Sequence, residues 1–167
     1  MPVSKGEGPV TLSVLDRLID DEPKNPFEAP MTRSESLRRL KASVRRDLEW
    51  LLNMRLPVQP APEGATQLEH SLYSSGLPDL CSMNMASTRN RAELARLMEK
   101  MIATFEPRLL NAKVSPAMEK AAGPLPKLGF MIEGLLAIDP MPEHVSFDTL
   151  LDVTGGEYLV RGEHSAG

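Results

Sequence analysis

The hydrophobic period of the chain changes once, at Pro107, and that change narrows the possible folds. Ahead of it, Leu94, Leu97, Met98, Met101, Ile102 and Phe105 recur at i, i+3, i+4, i+7, i+8 and i+11, one apolar stripe on a helix. Proline disfavours helical dihedrals in the residue before it, so this helix is expected to end near Phe105. Beyond it the period is two. Leu110, Ala112 and Val114 alternate with Asn111 and Lys113, and Leu128, Phe130, Ile132, Leu136 and Ile138 mark a second strand. Val145, Phe147, Thr149, Leu151 and Val153 mark a third, and the Gly-Gly of TGGEYLVR signals a hairpin into a short last strand. Helices first and hairpin-linked strands after predict an α+β fold, with N-terminal helices packed on a C-terminal antiparallel β meander.

The rest of the chain fits this order. Thr32 and Glu35 form a capping box for a long helix reaching about Leu56, with Leu37, Leu40, Val44, Leu48, Leu51 and Leu52 as its buried stripe. Asn90 and Glu93 are the corresponding pair for the helix that ends at Phe105. TLSVLDRLID (11–20) reads as a short helix with Leu12, Leu15 and Ile19 on one face, and DEPKNPFEAP (21–30) as an irregular connector. A weaker helix is expected over 66–74, with Gly76 as its C-terminal cap. The expected division is a tail, short helix and connector over 1–30, one domain over 31–161 and a disordered tail over 162–167.

Composition excludes several function classes. Apolar residues make 41% but aromatics only 4%, so Leu and Met must fill the core, and a thin core leaves room for obligate partners. A net charge of −4 argues against a nucleic-acid binder. The single cysteine, Cys81, excludes an intrachain disulfide and fits a reducing compartment. With no signal-type run and no stretch near the ~20 apolar residues of a membrane span, a cytoplasmic protein without membrane insertion is expected. His70, His144 and His164 are scattered and lie in no metal-ligand spacing, and no phosphate loop or nucleophile elbow occurs. Cys81 reads as an inert buried thiol. A glycosidase pair such as Glu106 with Glu133 is conceivable in any acidic chain, but nothing fixes its separation. No enzyme activity, cofactor or metal is expected.

Two polar features remain. Arg33, Arg38, Arg39, Lys41, Arg45, Arg46 and Arg55 concentrate positive charge on the long helix, interspersed with Glu35, Asp47 and Glu49. This is a solvated face, or a surface for an acidic protein partner, with nucleic acid the weakest reading. The triplet Glu106-Pro107-Arg108 places opposite charges two apart in extended chain, where they share a face. From spacing alone it is either a helix stop with solvated neighbours or a feature built for a partner.

SVRRDLEWLLNMR (43–55), GLPDL (76–80), a helix ending in EPR (106–108) and a C-terminal meander occur in this order. The chain thereby resembles the gp25-like family of baseplate proteins, which includes the TssE-type subunits of type VI secretion systems and a tailed-phage wedge protein. The likeness runs from about residue 11 to residue 161. The stretches SSGLPDL and SPAMEKAAGPLP (115–126) depart from the family pattern. The resemblance implies a non-enzymatic structural subunit, docked at the inner face of the envelope when assembled. Implied partners are wedge proteins of TssF and TssG type, sheath subunits of TssB/TssC type, a TssK-type adaptor indirectly, and a nearby spike hub. It implies that Glu106, Pro107 and Arg108 are an assembly contact, with Arg108 free to donate to a partner and its loss leaving the melting temperature nearly unchanged. Arg45 and Arg46 are candidates for a second contact. Tyr158, Leu159 and Val160 are expected to form a free strand edge for sheath strands. The alternative is a small regulatory adaptor of the same fold that binds an acidic partner.

Overall fold

The computed structural model describes residues 8–19, 23–24, 30–57, 59, 62–78, 85–117 and 127–163, and in them the helices precede the strands. Helices α1 (Val14–Leu18), α2 (Arg33–Asn53) and α3 (Thr88–Phe105) lead to β1 (Leu109–Ala117), β2 (Lys127–Leu136), β3 (Glu143–Asp152) and β4 (Tyr158–Glu163). The strands make one antiparallel sheet in the order β1-β2-β3-β4, so each pairs with its sequence neighbours. α3 packs on β1 and α2 on β4. The fold is the expected α+β arrangement.

The core joins Val44, Leu48 and Leu52 of α2, Leu94, Met98 and Ile102 of α3, and Phe130, Ile132, Phe147 and Leu151 of the central strands. Burying each such side chain is worth about 1.5–3 kcal/mol, so these stripes orient both helices. Leu97, read as part of the α3 stripe, is only partly buried, on its edge.

Helix ends differ from expectation where tertiary contacts intervene. Thr32 Oγ1 accepts the Glu35 N–H at 3.3 Å, so α2 begins as its capping box requires. It stops at Asn53, not Leu56, because the next residues pair with a distant segment. Leu77 N–H donates to Met54 O at 2.9 Å and Leu56 N–H to Leu77 O at 3.2 Å, around a parallel bridge between Arg55 and Leu77. Gly76 therefore caps no helix. Its φ is 126°, and a Cβ there would lie 2.7 Å from Met54 O, so only glycine permits this approach. Residues 66–74 form two 3₁₀ turns instead of one helix. α3 starts at Thr88 with Ser87 in the cap position and no side-chain cap bond, so its cap lies three residues ahead of the expected Asn90.

The first strand also departs from simple alternation. Asn111 has φ 53° and the register with β2 shifts between Leu110 and Lys113, a bulge. It turns Leu109 inward at 2% exposure and Leu110 outward at 41%, before Val114 returns to the core. Gly134 of β2 makes room for Leu109, since a Cβ there would lie 2.8 Å from Leu109 Cδ1. β2 ends at Leu136, short of Ile138. The Gly-Gly hairpin joins β3 to β4 through residues 153–157, with Asp152 Oδ1 accepting the N–H groups of Thr154 and Gly155.

At the other end, Val10 N–H donates to Ser36 Oγ at 2.8 Å, and Val10 and Leu12 pack against the core. Leu15 and Ile19, read as sharing a face with Leu12, are about half-exposed. The connection 118–126, most of the 21–30 connector, Cys81 and His164 lie outside the described residues.

Candidate functional site

The corner between α3 and β1 is closed by its own charges. Glu106 N–H makes the last helical bond, to Ile102 O at 2.8 Å, and Glu106 O accepts the Leu109 N–H that opens the strand. Pro107 fills the turn between them, exposed. The Glu106 side chain folds inward and is 4% exposed. Both its oxygens accept from the fork of Arg108, Nε to Oε1 at 2.7 Å and Nη2 to Oε2 at 2.6 Å. The two charges are therefore paired with each other, Glu106 buried and Arg108 partly so.

Arg108 also ties the corner to α2. Its Nη2 lies 2.6 Å from Asp47 Oδ2, and its Nη1 donates to Ser43 Oγ at 3.1 Å. Asp47 Oδ1 accepts from Arg46 Nε at 2.9 Å, and Arg46 Nη1 donates to Asp16 Oδ1 at 2.9 Å. Ser43 Oγ donates onward to Asp16 Oδ2 at 2.6 Å, and Ser13 bonds to the same carboxylate. The result is a line of alternating charge, Glu106–Arg108–Asp47–Arg46–Asp16, joining the α3–β1 corner, α2 and α1. The hydrogen bonds it donates to Glu106, and after them the one to Asp47, outweigh burial and hold Arg108 protonated more firmly than an ordinary guanidinium. The fork expected to be free for a partner is engaged within the chain.

Burial pushes the Asp16 carboxyl up, but bonds from Ser13, Ser43 and Arg46 outweigh it and hold the group below its ordinary 3.8. A carboxyl depressed on folding stabilises the protein at neutral pH and loses that contribution as pH falls below about 4. The urea midpoint should drop over that window, and Asp16→Asn should flatten this part of the profile. An identical acid profile in Asp16→Asn would show that Asp16 carries none of it.

A second cluster covers the outer edge of β4. Asn53 Oδ1 accepts the Tyr158 N–H at 2.9 Å and Asn53 Nδ2 donates to Tyr158 O at 2.8 Å. Glu49 Oε2 accepts the Val160 N–H at 2.9 Å and Arg45 Nη1 donates to Val160 O at 3.1 Å. Arg45, Glu49 and Asn53 are spaced by four on one side of α2 and stand where a fifth strand would. The strand edge expected to be open is thus paired by side chains. Leu159 pairs with Leu150 of β3 and exposes its side chain, while Tyr158 and Val160 point into the core. Arg45 and Arg46, consecutive on a helix and so about 100° apart, serve the two clusters separately.

Asp16, Ser43 and Asn53 were not singled out by sequence, and Asp47 and Glu49 were read only as acids among the cations of α2. Ser36 and Ser43, buried and seven apart, are the one local sign that polar groups meet this face of α2. No group of three metal-ligating side chains occurs among the described residues, and no helix there is long and apolar enough to cross a membrane.

Comparison with curated proteins and with solved structures gives no match. A sequence model of the baseplate wedge protein gp25 family matches residues 38–141. That span takes in most of α2, all of α3, the Glu106-Pro107-Arg108 corner, β1 and β2. Covering more than half of the chain, the match shows that it belongs to the baseplate wedge protein gp25 family, whose members are structural baseplate proteins.

Proposed function

We propose that the chain is a TssE-type baseplate subunit of a type VI secretion system, non-enzymatic, joining wedge proteins of TssF and TssG type and helping to start a sheath of TssB/TssC-type subunits. The observation that carries this reading is the alternating charge line, of which Glu106, Arg108, Asp47 and Arg46 lie inside the family-matched segment. It fixes the exposed Pro107 and the quarter-exposed Arg108 side chain at a rigid corner, which suits a contact that must be positioned before a partner arrives. The edge of β4 is the proposed sheath contact. A groove of about 700 Å³ beside it, lined by Glu49, Asn53, Tyr158 and Leu159 among others, offers space for an extended segment. Sheath pairing there requires the covering α2 side chains to give way.

The regulatory-adaptor reading relies on free arginines along α2, and Arg45 and Arg46 are engaged within the chain. The test of the baseplate reading is removal of the gene from a strain carrying fluorescent sheath subunits. Sheath assembly should stop and return with the parent gene, and the tagged chain should co-purify with the TssF- and TssG-type proteins. Unaltered sheath assembly in the deletion strain would remove this reading.

A further inference from the structure

We propose that α1 is a releasable latch whose Asp16 fills a carboxylate-binding site on α2, and that an acidic side chain of a protein partner takes this site when the latch opens. The site is built by other elements. Ser43 Oγ and Arg46 Nη1, neighbours on one side of α2, donate to the two Asp16 oxygens, at 2.6 Å and 2.9 Å. Both donors are fixed from behind. Arg108 Nη1 donates to Ser43 Oγ at 3.1 Å, and Asp47 Oδ1 accepts from Arg46 Nε at 2.9 Å. The Arg46 fork also has a donor to spare: its Nη2 is buried 2.9 Å from Asp47 Oδ1, yet makes no bond of hydrogen-bond geometry among the described residues.

α1 is held by little else. None of its five residues is buried, and Val14 and Leu18 are 71% and 77% exposed, the reverse of a helix that folds on its apolar face. A helix this short has no stability of its own. Among the described residues, the bonds of Asp16 to Ser43 and Arg46 are the polar ties of α1 to the rest of the chain. Arg46 keeps 27% of its side-chain surface, which weakens the pair further. The chain ahead of α1 is anchored separately, by the Val10 N–H on Ser36 Oγ and by Val10 and Leu12 against the core. α1 can therefore lift while residues 10–12 and the sheet stay in place.

The chain's own occupant defines the competitor. A hydroxyl and a guanidinium offer only donors to Asp16, an arrangement that a second carboxylate satisfies in the same way. The stretch VLDRLIDDE (14–22) carries Asp16, Asp20, Asp21 and Glu22 against Arg17, so the latch is acidic by sequence and a segment that replaces it is acidic too. A minor open state of about 0.1–10% lowers the partner's apparent affinity by the same fraction, which makes the Asp16 contact autoinhibitory.

Two measurements on the full chain test the latch. In hydrogen exchange, the Arg17 and Ile19 amides, bonded to Ser13 O and Leu15 O, should exchange about a hundred-fold or more faster than amides at the centre of α2. Equal protection of α1 and α2 overturns the inference. The second is the anisotropy of a fluorescein-labelled hexaglutamate peptide at low salt. Asp16→Ala should bind it about ten-fold or more tightly than the parent. Ser13→Ala, which loosens Asp16 from the α1 side alone, should shift binding in the same direction, and circular dichroism checks that each variant keeps the parent's fold. Adding Arg46→Gln to Asp16→Ala should abolish the gain. Equal binding by the parent and Asp16→Ala, or a gain that survives Arg46→Gln, overturns the inference. An equal gain in Glu63→Gln, which removes an exposed acid elsewhere, marks a general charge effect and overturns it too, as does a peptide that binds none of these proteins. No baseplate protein enters either measurement, so these outcomes leave the baseplate reading where it stands.

Discussion

Arg108→Ala is expected to lower the melting temperature by roughly 6–12 °C, at about 2–4 °C per kcal/mol for a chain of this size. The substitution leaves the Glu106 carboxylate buried without its fork and Asp47 without one of its two cations. Stranding a charge in this way costs about 3–5 kcal/mol when burial is complete. Arg108 keeps about a quarter of its side-chain surface, so about 3 kcal/mol is the appropriate figure. Arg108→Lys should fall between, since an ammonium cannot span both Glu106 oxygens and Asp47. The double variant Glu106→Gln/Arg108→Met removes both charges and should recover much of the lost stability. It also separates two roles. If the guanidinium touches a partner, the double variant folds and still fails to assemble; if it only fixes the corner, assembly returns with the fold. A melting temperature for Arg108→Ala within about 2 °C of the parent would show that the charge line does not stabilise the corner.

The second large effect is expected at the sheet edge. Glu49→Ala/Asn53→Ala removes three of the four bonds that cover β4, leaving the Tyr158 N–H and C=O and the Val160 N–H unpaired. With part of that backbone open to water, the loss should be about 2–4 kcal/mol. An uncovered edge also invites pairing with another chain, so sedimentation should detect dimers or larger species that the parent lacks. β1, the other edge, is also blunted: Val114 N–H donates to Glu99 Oε1 at 2.8 Å, and Pro116 has no N–H to offer. A double variant that stays monomeric with the parent's urea midpoint would show that the α2 side chains guard nothing.

Much of this architecture was legible because it is periodic. The stripes of α2 and α3, the Thr32 cap, the stop at Pro107 and the meander each follow from neighbours within a few residues. The exceptions share one cause. α2 ends early because Leu77 pairs with Met54, and the β1 alternation slips because Asn111 adopts a left-handed conformation that Leu109 and Gly134 accommodate. The candidate site was half legible. Glu106 and Arg108 do meet, but across a turn closed by the Leu109 N–H to Glu106 O bond and not along extended chain as period two implied, while Asp47 lies 61 residues from Arg108 and no spacing could supply it. Arg45 was visible as a charge, yet its partner, the Val160 carbonyl, is 115 residues distant.

The cover over β4 has a limit set by helical geometry. Four residues of helix advance about 6 Å while two residues of strand advance about 6.8 Å, so the rungs stay nearly level. The same four residues turn about 400°, and each rung therefore points about 40° away from the last. Asn53, Glu49 and Arg45 span about 80° of that drift, and a fourth rung would face away from the strand. A helix can imitate a strand only briefly.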